Sequence, residues 1–167
     1  FSGTNLYTGA TTISAGTFTV TGLLADTALS VSSGAIYDVD STDTIGSIAG
    51  EGSIEIADTK TLTAGVLGNT EFAGVISGSG GFTKAGSGTT TFSGANTYTG
   101  DTAISAGVLE ISGVANSDSA IAVSSGADLK FNTSGSQSYS NVISGAGSLT
   151  KAGSGTTTFS GTNLYTG

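Results

Sequence analysis

VISGSGGFTKAGSGTTTFSG occupies residues 75–94, and VISGAGSLTKAGSGTTTFSG occupies residues 142–161, an offset of 67. Outward from that pair, FSGTNLYTGATTISAG at 1–16 returns as FSGANTYTGDTAISAG at 92–107, an offset of 91, and FSGTNLYTG stands at both 1–9 and 159–167. VSSGA at 31–35 reappears at 123–127. Self-similarity at such intervals marks a repeat architecture. The chain divides into unit one, 1–91, unit two, 92–158, and the start of unit three, 159–167, and is predicted to be a single continuous β-solenoid segment over 1–167.

The two intervals differ by 91 − 67 = 24. Taking the longer unit as four coils and the shorter as three predicts about seven coils of roughly 22–24 residues, with the difference one whole extra coil. That coil is placed near residues 37–64, YDVDSTDTIGSIAGEGSIEIADTKTLTA, which has no counterpart in the second unit. A solenoid accepts such a block because each coil touches only its neighbours.

Composition narrows the class. The 167 residues include 28 glycines and no proline, with 10% charged and 37% hydrophobic residues, a balance that opposes disorder. Glycine at this density opposes helices, and the Thr, Val and Ile between the glycines favour strands. Inside the coils the period is two. In GTFTVTG, Phe18 and Val20 alternate with Thr17 and Thr19, and in GVLEISG, Leu109 and Ile111 face inward with Glu110 outward. Ile54 and Ile56 flank an outward Glu55, and Leu129 and Phe131 flank an outward Lys130. SG, AG and GSG punctuate the strands as turns. Propellers, collagen and leucine-rich repeats need other periods. The predicted fold is all-β, a right-handed parallel β-helix, since parallel crossovers are overwhelmingly of that hand.

The runs GGFTKAGSGTTTFSGANTYTGDTAISAGVLEISG at 80–113, GSLTKAGSGTTTFSGTNLYTG at 147–167 and GATTISAGTFTV at 9–20 resemble the passenger-associated transport repeat of bacterial autotransporters. DTIGSIAGEGSIEI at 43–56 resembles the optional coil of those repeats. The resemblance implies a right-handed β-helical stalk, exported to the extracellular side or cell surface of a bacterium with an outer membrane, serving as scaffold, adhesin shaft or secretion aid without catalytic residues. Thr90 and Thr157 depart from the family pattern by standing where leucine is usual, which puts a hydroxyl at an inward site that requires a partner.

Chemistry-bearing residues are scarce. Without His or Cys the common nucleophile–base pairs, zinc sites and disulfides cannot form, so no catalytic, cofactor-binding or metal residue is assigned and the chain is read as a non-enzyme. Glycoside hydrolysis would need two carboxyls facing one cleft, whereas Glu55 and Glu110 lie outward on separate strands. DVDSTD at 38–43 invites weak calcium binding by Asp38, Asp40 and Asp43, but an EF-hand would need glycine where Asp43 stands and glutamate where Ala49 stands, so a solvated acidic turn is expected. Asn5, Asn96 and Asn163, with Tyr7, Tyr98 and Tyr165, recur too far apart for adjacent-rung ladders, which leaves a local corner role for Asn. Threonine pairs at Thr17/Thr19, Thr59/Thr61/Thr63, Thr89/Thr91 and Thr156/Thr158 raise an ice-binding surface, which their irregular intervals oppose.

The expected function is that of a structural repeat segment in a long extracellular stalk or filament, a spacer or scaffold. The alternative is an adhesin that binds carbohydrate or host protein through a lateral face, for which Tyr37 and Tyr139 are the aromatic candidates outside the corners. A net charge of −8 disfavours nucleic acid and anionic membrane as partners. No apolar run approaches a membrane span and Phe1 begins inside a repeat, so membrane contact and a signal peptide are not expected of this segment. The expected partners are neighbouring coils, or copies of the chain stacked end to end.

Overall fold

A computed structural model describes residues 1–24, 26–114 and 119–167, and its regular elements are short β-strands with no helix among the described residues. The named strand pairs are all parallel, each joining one turn of the chain to the next. Three faces run the length of the rod. Face one holds Thr11–Ile13, Ala28–Val31, Ser47–Gly50, Thr70–Phe72, Thr89–Phe92, Val108–Ile111, Asp128–Asn132 and Ser148–Ala152. Face two holds Thr17–Val20, Ile36–Val39, Ser53–Ile56 and Val75–Gly78, continues through the bridges Ile76–Asn96 and Ala95–Val114, and resumes in the pair Gln137–Tyr139 and Thr157–Phe159. Face three runs from Asp43–Thr44 through Thr61–Ala64, Gly81–Lys84, Thr102–Ile104, Ile121–Val123 and Ile143–Gly145 to Asn163–Tyr165.

The length of a turn is read from one inward column. Ile13 pairs with Val31, and the column continues through Gly50, Phe72, Phe92, Ile111 and Phe131 to Lys151, eight turns in all. The step from Ile13 to Val31 is the shortest and that from Gly50 to Phe72 the longest, and every step is tighter than or equal to the short end of the expected range. This corrects the expected seven coils of 22–24. It also corrects the reading of the extra block near 37–64 as one whole coil. Thr11–Ile13 lies on face one of the first turn, while its repeat, Thr102–Ile104, lies on face three of the fifth, so the longer interval makes four turns and two faces. Val75–Gly78 lies on face two of the fourth turn and its repeat, Ile143–Gly145, on face three of the seventh, so the shorter interval makes three turns and one face. Counting whole coils fails because every face carries the same inside–outside alternation, so a motif need not return to the face it left.

The alternation itself holds. Val20, Ile54, Ile56, Leu109, Ile111, Leu129 and Phe131 are buried in one continuous core, and Phe18 packs partly buried against it between Phe1 and Tyr37. Glu55 is exposed, and Glu110 and Lys130 are half-buried on the outside. Glycine is required where a strand ends directly over the turn below. At Gly50, Gly78 and Gly145, φ is 112°, 100° and 106°, and a Cβ would sit 2.1 Å from the carbonyl oxygens of Val31, Ile56 and Val123.

Thr90 is fully buried, and its hydroxyl, like those of Thr70 and Thr157, has no hydrogen-bond partner. The inward threonine therefore stands unsatisfied between Thr70 and Leu109, a state that costs about 1–3 kcal/mol for a buried polar group. Thr90→Val, which keeps the shape, is expected to raise unfolding free energy by about 1 kcal/mol in denaturant melts. Phe92→Ala, which opens the neighbouring column between Phe72 and Ile111, is expected to lower it by about 3–5 kcal/mol.

Candidate functional surface

The recurring corner is built by asparagine and tyrosine. Asn5 Nδ2 donates to the carbonyls of Gly3 at 3.3 Å and Leu23 at 2.9 Å, and Asn96 Nδ2 donates to Gly94 at 3.5 Å and Val114 at 3.3 Å. Asn163 repeats the local half, to Gly161 at 3.1 Å. Each asparagine thus satisfies its own turn, and Asn5 and Asn96 also grip the next one, the corner role expected of them. Tyr7 and Tyr98 point their phenols at the threonine four residues on, Thr11 at 2.5 Å and Thr102 at 2.7 Å.

A second corner was not legible as a site. Lys84 is 0% exposed, and its Nζ donates to the carbonyls of Ala85, Gly86 at 2.9 Å and Ala106 at 3.2 Å, so a cation ties one turn to the next. Lys151 makes the same local bonds to Ala152 and to Gly153 at 2.9 Å. The signal lies in the phase of GFTK, where Phe82 and Lys84 share the inward side and Thr83 points out. Burial lowers the Lys84 pKa from its ordinary value.

The acidic turn does not converge. Asp38 faces outward and accepts from Thr19 Oγ1 at 2.8 Å, and Asp40 is exposed. Asp43 turns into the core, 1% exposed, where it accepts from the Leu24 and Thr44 backbone N–H groups at 2.9 Å each and from the Tyr37 hydroxyl at 2.7 Å. Its oxygens are committed to backbone and phenol, not aimed at a point shared with Asp38. Among the described residues no group of three or more His, Cys, Asp or Glu side chains is placed to hold a metal ion.

The lateral faces are plain. Tyr37 and Tyr139 are core residues, buried beside Phe18 and beside Phe131 and Phe159, which corrects their reading as binding candidates. The threonine pairs scatter: Thr17 and Thr19 lie on face two, Thr61 and Thr63 on face three, Thr89 and Thr91 on face one. A shallow groove of about 370 Å³ runs beside Asn69, Thr70, Glu71, Thr89 and Thr91, with no aromatic residue in its lining. Glu110 is held below its ordinary pKa by the Asn132 amide at 2.7 Å and then by Lys130 at 2.9 Å, working against partial burial. It is a surface brace between turns, not a proton donor poised over a cleft.

Comparison with known proteins follows the same lines. Residues 1–20, 82–111 and 149–167 match the family model described as the passenger-associated-transport-repeat. The middle match runs from the face-three strand Gly81–Lys84 to the face-one strand Val108–Ile111, and so includes both corners. A curated relative, the adhesin BmaC autotransporter of Brucella suis biovar 1 (strain 1330), is 39% identical over 126 residues, covering 69% of this chain and 4% of the relative. The chain thus spans a small fraction of that protein's length. No solved structure matches significantly.

The buried tyrosines carry an alkaline signature. Burial raises Tyr98 and Tyr139 to about 12, and burial reinforced by Asp43 raises Tyr37 further. A phenol whose folded pKa exceeds its unfolded value near 10.0 contributes stability that is intact below that value and lost as pH climbs towards the folded one. Stability is therefore expected to fall between about pH 10 and 12, with tyrosinate absorbance of these three residues rising together with loss of the β-sheet circular dichroism signal. Tyr37→Phe should remove part of that pH dependence.

Proposed function

We propose, because this chain carries passenger-associated transport repeats folded as a parallel β-solenoid, that it is a length of an exported bacterial passenger stalk that acts as a mechanical spacer at the cell surface. The observation that carries the reading is the continuous inward column of eight turns, flanked by corner contacts from Asn5, Lys84 and Asn96 that join one turn to the next. Such a rod gains length with each turn and needs no chemistry of its own. Export past a bacterial outer membrane is part of the proposal, supported by the autotransporter relative.

Adhesion through a lateral face is the second reading, and the name of the relative favours it. With Tyr37 and Tyr139 in the core, the interior turns lack the exposed aromatic anchors on which such binding usually rests. Tandem copies of residues 1–158 placed between two globular domains are expected to lengthen the particle by about 38 Å per copy in electron micrographs, eight turns at about 4.8 Å. A particle length that does not scale with copy number overturns the spacer. Cell or glycan binding by the isolated chain, abolished by changes at outward residues that leave the length intact, transfers the assignment to adhesion.

A further inference from the structure

The extra block in the first unit has defined edges. Val39 corresponds to Phe131 at the end of matching strands, and Phe72 corresponds to Tyr139 at the end of the next matching pair. Between them lie residues 40–71 in the first unit and only 132–138 in the second. GVLGNTE at 65–71 equals NTSGSQS at 132–138 in length, with Gly68 and Gly135 in the same place, so the surplus is residues 40–64. That segment carries Asp43–Thr44 on face three, Ser47–Gly50 on face one, Ser53–Ile56 on face two and Thr61–Ala64 on face three again. It is four faces of chain, one turn and a third.

We infer that residues 40–64 are a phase-setting module, whose presence turns everything after it by one face around the rod. The three faces can exchange contents because each offers the same inward sites to apolar residues: Phe72 and Phe92 on face one, Ile54 and Ile76 on face two, Phe82 and Ile104 on face three. With the module, four turns and two faces followed by three turns and one face make eight complete turns. The two copies of FSGTNLYTG consequently share an azimuth. The Phe1 carbonyl accepts from Thr21 N–H at the end of the face-two strand Thr17–Val20, and Phe159 closes the face-two strand Thr157–Phe159. Without the module the copies would stand six turns and two faces apart, on different sides.

The consequence is a choice of which surface looks which way. Outward positions on face three are uncharged through Thr44, Thr63, Thr83, Ala103, Ala122 and Ser144, whereas face one presents Glu71, Glu110 and Lys130. The module fixes the angle between surfaces upstream of it and these downstream stretches.

Cross-linking tests the register, helped by a sequence with no native cysteine. In the full chain Ser30 pairs with Ala49, and Ser77 pairs with Glu55 on another face. Removal of 40–64 should bring Ser30 beside Ser77, as Ala122 lies beside Ser144 in the second unit. Neighbouring parallel rungs lie within disulfide reach. The full chain with Ser30→Cys and Ala49→Cys is expected to cross-link under oxidation, and with Ser30→Cys and Ser77→Cys it should not. The 40–64 deletion with Ser30→Cys and Ser77→Cys should cross-link. Since the deletion removes Asp43 from the Tyr37 hydroxyl, a second version carries Tyr37→Leu, matching Leu129. A folded deletion that fails to form the Ser30–Ser77 link overturns the inference, and so does loss of cooperative unfolding in both versions or formation of that link in the full chain.

Discussion

Each turn of this rod must lie in register on the turn below, with its backbone N–H and C=O groups paired across the gap and its inward side chains stacked on their counterparts. The column from Ile13 to Lys151 shows the constraint at work on one face. A shift of one residue would send a whole strand's apolar set to solvent. Variation leaves the alternation intact: turns lengthen from the Ile13–Val31 step to the Gly50–Phe72 step, and bridges stand in place of strands on face two.

Polar groups admitted to the interior follow from that constraint. Lys84 is tolerated because three carbonyls at a corner surround its ammonium, and Asp43 because two amides and a phenol fill its lone pairs. Both bind one turn to another, where a hydrophobic side chain would leave corner carbonyls or amides unpaired. Thr90 lacks any such partner and sits where a leucine at Leu109 and Leu129 continues the same inward row. Lys84 and Asp43 find their partners at corners, where backbone atoms turn out of the ladder, although the corner residues Thr133 and Asn141 are buried without such partners. The middle of a face offers no spare partner.

Among the described residues the acidic side chains other than Asp43 lie at turns or on outward positions, with Glu110 and Lys130 joining adjacent rungs. Asp38 and Glu55 are register neighbours of like charge, an arrangement a sheet carries only at some cost. Among the described residues the exposed aromatic side chains, Phe1, Tyr7 and Tyr165, stand at the two ends of the rod.

The repeats, the period of two, the turn glycines and the lack of His or Cys were enough to read an all-β parallel solenoid and an asparagine corner, because these depend on local spacing that any turn must obey. Seven coils, a whole-coil insertion and exposed Tyr37 and Tyr139 did not survive. Linear spacing does not record on which of three equivalent faces a motif lands, so the two repeat intervals could be divided into turns only once the pairing register was seen. Nor does it record which turn covers a side chain: Tyr37 and Asp43 meet in the core only because neighbouring faces close over them, and Lys84 becomes a tether only when Ala106 of the next turn arrives above it.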